Sequence, residues 1–486
     1  MGKLTGIEPE SVFTFFEEVT KIPRPSKKEG KIINYLKEFA ASQKLAYKTD
    51  IAGNVLITKN AFQGKEDNIT VILQSHLDMV CEKNSDVLHD FENEGIKAFI
   101  DGEWIRAKGT TLGADDGIGI AAQLAILADK KIKHGPLECL FTVDEETGLT
   151  GANQLSRDFI QGKILINLDS EDEGELFIGC AGGMNTIATI NYKPKKIPAQ
   201  HLSLELTVKG LNGGHSGDDI QKGFGNSNKI INRFLWNAGR LFDIRITMFD
   251  GGNLSNAIPR EASSIFIVDT DKYLDLLKYF NKYSQDCKNE LKITEPNLMI
   301  SLKYSDMPET IINRKAQSRL LNCLYACPNG VIEWSREIEG LVQTSTNLAS
   351  VKFVEDNKIV ITTSQRSSIE SSKNDIANQV SAVFELGNAE IVTSTGYPGW
   401  NPNLNSRILE ITKQSYIKLF SKNPNVRAIH AGLECGLFLE KYPDLDMISF
   451  GPTIKGAHSP DERLEIKSVR KFWDLLLDVL NNIPGK

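Results

Sequence analysis

The chain has 486 residues, of which 41% are hydrophobic and 24% charged, an ordinary soluble composition with material for two or three domains. The formal net charge of -7 comes with no basic stripe, the densest basic cluster being Lys193-Pro194-Lys195-Lys196, which excludes nucleic acid as a partner. No apolar run reaches the ~18 residues of a membrane span, so no membrane partner is expected either.

Near the start, "SVFTFFEEVT" is broken by Glu17 and Glu18, which argues against a signal peptide. Residue 6 is Gly, where a myristoylation pattern needs Ser or Thr. Seven scattered cysteines without a secretion signal indicate free thiols and a cytoplasmic location. Cys323 and Cys327, in an apolar helical stretch, read as packing residues.

"NITVILQSHLD" predicts a strand ending at His76, with Asp78 just beyond. "DDGIGIAAQLAILAD" predicts a helix whose N-terminus holds Asp115 and Asp116, and Asp115 also reads as an N-cap. "ECLFTVDEETG" is a buried strand that stops at three adjacent carboxylates, Asp144, Glu145 and Glu146. "ILINLDSED" predicts another strand, ending near Asp169. Near-continuous apolar strands alternating with helices indicate an α/β, doubly wound sheet covered on both faces.

Between residues 187 and 395 the pattern changes to period-two alternation, as in "HLSLELTVKG", "ASSIFIVD" and "KIVITTSQ", separated by long helices. This predicts a separate α+β domain. It also predicts an internal duplication, since strand–helix–strand order occurs around a helix from Tyr273 to Leu291 and again around one near Asp375 to Leu386. After 396 the first style returns, with "DMISFGPT" as a strand, His458 in "GPTIKGAHSPDER" and a closing helix, "VRKFWDLLLDVLNNI". The expected organisation is therefore a first domain over 1–186 and 396–486, interrupted by a second over 187–395.

His76, Asp78, Asp115, Glu145, Glu146, Asp169 and His458 all fall at strand or helix ends. In a doubly wound sheet the carboxyl ends of the strands share one edge, where ligands bind. Clustered carboxylates repel one another unless a cation lies between them. Two His and three or four carboxylates exceed the ligand set of one zinc, whereas two cations bridged by a shared carboxylate would use them all. Of Glu145 and Glu146, adjacent on what reads as an extended segment, one can ligate while the other holds the attacking water.

With these residues assembled, the chain resembles the M20 family of dinuclear metallopeptidases, and within it the aminoacyl-histidine (Xaa-His) dipeptidases. The resemblance covers essentially the whole chain, through "SHLDMV", "GADDGIG", "DEETG", "NLDSED", "GGHSG" and "GAHSPDE" in the family's order. It implies two divalent metal ions per chain, Zn²⁺ by default with Co²⁺ or Mn²⁺ as alternatives. His76 would bind one and His458 the other, Asp115 would bridge, and Glu146 and Asp169 would complete the two sites. Asp78 would orient His76, and Glu145 would be the general base toward a metal-bridging water. The Asp115–Asp116 peptide bond would be cis. The inserted domain would be a lid. Its His215 and Asn256 would stabilise the oxyanion, Arg366 would clamp the substrate's free carboxylate, and Gly432 would contact the substrate through its backbone. Relatives with a single lid copy dimerise to complete the site, so a duplicated lid implies a chain that is self-sufficient even as a homodimer. The implied substrate is a small dipeptide, Xaa-His or related. An N-acyl amino-acid deacylase or a tripeptide aminopeptidase would keep the same metals, and a non-catalytic binding module would have lost one of these residues.

Overall fold

The computed structural model of the protein describes Leu4 and residues 6–485. Its contacts divide it into two compact units. One takes the chain up to Gly179, then Trp400–Ala428 and the stretch from Leu433 onward; the other takes Cys180–Gly399 and Ile429–Gly432. The second unit opens before residue 187 because the strand Gly182–Asn191 runs through that position.

The first unit is built on an eight-stranded mixed sheet in the order Ala46–Thr49, Val55–Lys59, Leu137–Thr142, Val71–His76, Ile164–Asn167, Asp446–Ser449, Glu175–Cys180, Asn425–Ile429. The four central strands are parallel. Val71–His76 and Leu137–Thr142 are buried along their whole length, as strands covered on both faces must be. Ile72, Leu73, Leu140 and Phe141 are wholly inaccessible, and each such side chain contributes ~1.5–3 kcal/mol by leaving water. The helix Ala114–Ala128 is apolar on nearly every side and packs between Val71–His76 and the helix Glu10–Thr20. A smaller four-stranded sheet, ordered Ile454–Lys455, Arg463–Glu465, Trp104–Ala107, Ala98–Asp101, ties the segment entering that helix to the segment after His458.

Two local expectations are corrected. Asp115 does not cap its helix: Asp115 and Asp116 are both non-helical, and it is the Asp116 carboxylate that accepts the Gly119 N–H, at 3.1 Å. Glu145 and Glu146 do not lie on an extended segment. Asp144 adopts a left-handed conformation (φ 51°) that turns the strand directly into the short helix Glu145–Gly148. The Asp115–Asp116 bond is cis.

The second unit has a nine-stranded sheet with four helices, Ser227–Leu241, Tyr273–Leu291, Arg314–Ala326 and Glu370–Leu386, sharing one apolar core with it. The duplication is visible in its topology. One copy runs strand His201–Lys209, helix, strand Arg245–Gly251, strand Ala262–Asp269, helix, strand Met299–Tyr304. The other runs Gly182–Asn191, helix, Val342–Val354, Lys358–Ser367, helix, Glu390–Thr393. In both, the strands lie in the order last, first, third, second. The second copy is split, with the first inserted after its opening strand. The two meet where equivalent strands pair antiparallel, Asp250 opposite Lys352 and Gly251 opposite Val351. No helix among the described residues is long and apolar enough to cross a membrane.

Candidate metal centre and lid residues

The carboxyl ends of the four central strands bring seven side chains of the first unit together. His76 ends its strand and is buried, and its Nε2 lies 3.0 Å from Asp115 Oδ1 and 3.4 Å from Asp169 Oδ1. His458, in the left-handed region at φ 62°, places Nε2 3.1 Å from Asp115 Oδ2 and 3.1 Å from Glu146 Oε2. Three overlapping three-residue groups result at this edge, His76–Asp115–Asp169, Asp115–Glu146–His458 and His76–Glu145–Glu146, each with its ligand atoms within 4.8 Å of one another, and the first two are joined through one side chain. That side chain, Asp115, turns one oxygen to each.

Asp78 organises this edge. Its Oδ1 lies 3.4 Å from His76 Nδ1 and accepts the Glu145 N–H at 3.0 Å, while Oδ2 accepts the Glu146 N–H at 3.2 Å and the Ser26 hydroxyl at 2.8 Å. One buried carboxylate thus orients an imidazole and fixes the turn carrying both glutamates. Burial opposes its charge, but the adjacent His76 prevails and holds the Asp78 pKa down at about 2.

The electrostatics show what the site lacks. None of Asp115, Glu145, Glu146 or Asp169 has a Lys or Arg ion-pair partner among the described residues. The two histidines substitute. Bonds to Asp115 and Glu146 push His458 up to about 11, and His76 is raised although its burial acts the other way. Burial, reinforced by Asp169, Glu434 and Glu146 against the opposing His76, holds Glu145 well above the usual carboxylate range. Glu146 Oε1 is buried without a hydrogen-bond partner. Buried carboxylates and imidazoles converging in this way are a donor set for divalent cations.

The lid residues lie in the second unit. His215 stands on a short strand paired with Ala257, and the Asn256 carbonyl accepts the Ser216 N–H at 2.8 Å. Arg366, only 6% exposed, comes from the other copy of the duplication, yet its Nη2 lies 3.3 Å from His215 Nε2. Arg366 Nη1 donates to the Tyr397 hydroxyl at 3.0 Å, Nε has no partner, and no carboxylate lies within ion-pair distance among the described residues. His215 Nδ1 accepts the Asp218 N–H at 3.2 Å, which leaves its Nε2 facing the guanidinium. Gly432 lies against the Tyr397 ring, which a Cβ there would approach to 2.7 Å.

Three further groups, the half-buried Tyr397 and the buried Glu434 and His430, are not marked by any motif in the sequence. Tyr397 sits in "STGYPGW", where nothing local distinguishes it from a turn residue. Glu434 accepts from Gln74 and Thr142, both at 2.7 Å, and burial raises its pKa to about 7. His430, not counted among the candidates, is buried with Nε2 2.7 Å from Ser345 Oγ.

The chain matches Peptidase family M20/M25/M40 over residues 72–482. It is 43% identical to the cytosol non-specific dipeptidase of Escherichia coli (strain K12) over 486 residues, all of both chains. Its structure is similar to that of aminoacylhistidine dipeptidase from Vibrio alginolyticus, with a TM-score of 0.92 and 44% identity, covering 100% of this chain and 99% of the other. A tripeptidase from Staphylococcus aureus shares the fold at a TM-score of 0.57 and 17% identity, covering 98% and 99% of the two chains. The motifs, the sheet edge they occupy and these likenesses agree: the chain belongs to peptidase family M20/M25/M40.

Proposed function

We propose that the protein is a metal-dependent dipeptidase acting on Xaa-His and related dipeptides in the cytoplasm. The observation that carries this reading is the division of Asp115 between two ligand groups, Oδ1 toward His76 and Oδ2 toward His458. On this reading His76 and Asp169 would hold one divalent ion, Glu146 and His458 would hold the other, and Asp115 would serve both. Zn²⁺ suits a mixed imidazole and carboxylate set, and Co²⁺ and Mn²⁺ are alternatives. Two such ions, when bound, polarise the scissile carbonyl and make water nucleophilic at neutral pH.

The chain's own residues do the rest. Glu145, beside His76 and Glu146 but not in either group that contains Asp115, takes the proton of the attacking water and delivers it to the leaving amine. Asp78 keeps His76 in register. His215 and Asn256 stabilise the charge developing on the carbonyl oxygen, and Gly432 offers backbone beside the substrate. Arg366 pairs with the free carboxylate, which makes the enzyme exo-acting and limits it to short substrates. The 3.3 Å approach of His215 and Arg366 within one chain supports a site that is complete without a partner subunit.

The relatives' names support the substrate class, one being a non-specific dipeptidase and the other an aminoacylhistidine dipeptidase. The test is hydrolysis of a dipeptide panel before and after dialysis against a chelator. Hydrolysis lost on chelation and restored by Zn²⁺, Co²⁺ or Mn²⁺ is the expected result. Full activity in metal-free protein refutes the reading.

A further inference from the structure

Two buried charges of the first unit, Arg24 and Glu462, serve no step described above, yet both lie beneath the loop that carries Asp115. Glu462, 2% exposed, accepts four consecutive backbone N–H groups: Leu112 at 2.7 Å and Gly113 at 3.0 Å on Oε2, Ala114 at 2.7 Å and, more weakly, Asp115 at 3.4 Å on Oε1. Arg24, also 2% exposed, approaches the same loop through its carbonyls. Its Nη2 donates to Gly113 O, while Nη1 donates to Leu77 O at 2.9 Å and to Asp78 O.

We propose that Arg24 and Glu462 are positioning residues that fix Asp115 relative to His76 and His458, and so set the spacing of the two metal positions. This rests on the reading of Asp115 as the shared ligand. Arg24 joins the loop after His76 to Gly113. Glu462 joins residues 112–115 to the loop that carries His458. Three ligand-bearing loops, distant in sequence, are therefore held by two side chains. The pairing of Arg463 with Arg106 in the small sheet brings Glu462 beneath residues 112–115.

Folding alone would not select this arrangement. A buried guanidinium and a buried carboxylate are each costly to desolvate, and apolar residues of similar volume often replace such groups without loss of stability. Arg24 has no carboxylate at ion-pair distance among the described residues, and Glu462 is satisfied by amides instead of a cation. What the pair supplies is direction, since a planar fork and a two-oxygen acceptor each grip more than one backbone group. The loop is pressed onto the guanidinium. Gly113, at φ 69°, and Gly117 would put a Cβ 2.7 Å and 2.8 Å from Arg24 Nη2.

The experiment compares Glu462→Gln and Arg24→Lys with the parent protein by chelator competition, reading Zn²⁺ content per chain and the melting temperature of the metal-free form. Glu462→Gln keeps one oxygen but turns an NH₂ toward the amide donors. Affinity is expected to fall ~10–100-fold, the usual effect of losing a group that orients a ligand. Both ions should weaken together because Asp115 is common to them, whereas Asp169→Asn should weaken one preferentially. Arg24→Lys, which retains the charge but not the fork, should behave like Glu462→Gln. Parental affinity in a folded variant overturns the proposal, as does loss of one ion alone; a lower melting temperature without an affinity change assigns a merely structural role. Should neither variant fold, hydrogen exchange of a peptide spanning residues 112–115 in the metal-free parent serves. Protection is expected, and exchange at open-loop rates overturns the proposal. A parent protein that binds no metal instead refutes the earlier reading.

Discussion

Amidating the substrate's C-terminus should remove most of its reactivity, and the size of the effect follows from the state of Arg366. The guanidinium is 6% exposed, Nη1 is held by Tyr397, Nε is bare, and no carboxylate neutralises it among the described residues. Its desolvation has therefore been met by the fold, and a substrate carboxylate gains a buried partner that no other carboxylate neutralises. Truncating one member of such a buried, hydrogen-bonded charge pair costs ~2–5 kcal/mol. At ~1.36 kcal/mol per tenfold in rate, that is a drop of roughly 30- to 5,000-fold in kcat/KM. The assay compares a good dipeptide with its C-terminal amide, on the parent and on Arg366→Met. The parent should prefer the acid by that factor, and the variant should turn over both at the slow rate, since the missing interaction cannot be lost twice. Equal turnover of acid and amide by the parent removes Arg366 from the substrate's carboxyl end.

Glu145→Gln should keep both metals and lose ~10²–10⁴-fold in kcat, whereas Glu146→Gln should lower the metal content; metal analysis showing the reverse would swap their roles. Mixing His215→Ala with Arg366→Ala protein should not restore activity, because both residues come from one chain; recovery after proven subunit exchange contradicts a self-sufficient site. Burial, helped by Arg366, depresses the His430 pKa to about 3 from its ordinary value of 6.5. The unfolded chain then binds a proton that the folded one refuses, so stability is intact above pH 6.5 and is lost as pH falls toward 3. His430→Gln should flatten the dependence of unfolding free energy on pH in that window, by up to ~1.4 kcal/mol per pH unit. An unchanged slope assigns the acid sensitivity to other groups.

The metal-capable residues were legible in the sequence because most follow an apolar strand and Asp115 opens an apolar helix, and parallel strands deliver their carboxyl ends to one edge. The conformation at Glu145 was not. Asp144 takes a left-handed φ of 51°, and its carboxylate accepts the hydroxyls of Thr147 and Thr150, a local closure that "DEETG" does not announce. The lid's repeat was legible as strand–helix–strand order, but its interleaving was not, since Gly182–Asn191 finds its partner Lys358–Ser367 only across the whole inserted copy. Arg24 and Glu462 were hidden for a similar reason. "IPRPS" gives no sign of a burial whose contacts lie at residues 77, 78 and 113. Glu462 sits inside the quoted "GAHSPDE", where a charged residue near a loop reads as solvated.

The most direct test is the metal content of the chain itself. Protein saturated with Zn²⁺ and freed of excess should carry two ions per chain by elemental analysis, and Asp115→Asn should carry neither at the same free Zn²⁺ concentration. A single ion in the parent, or two retained in Asp115→Asn, would contradict a centre built around one shared carboxylate.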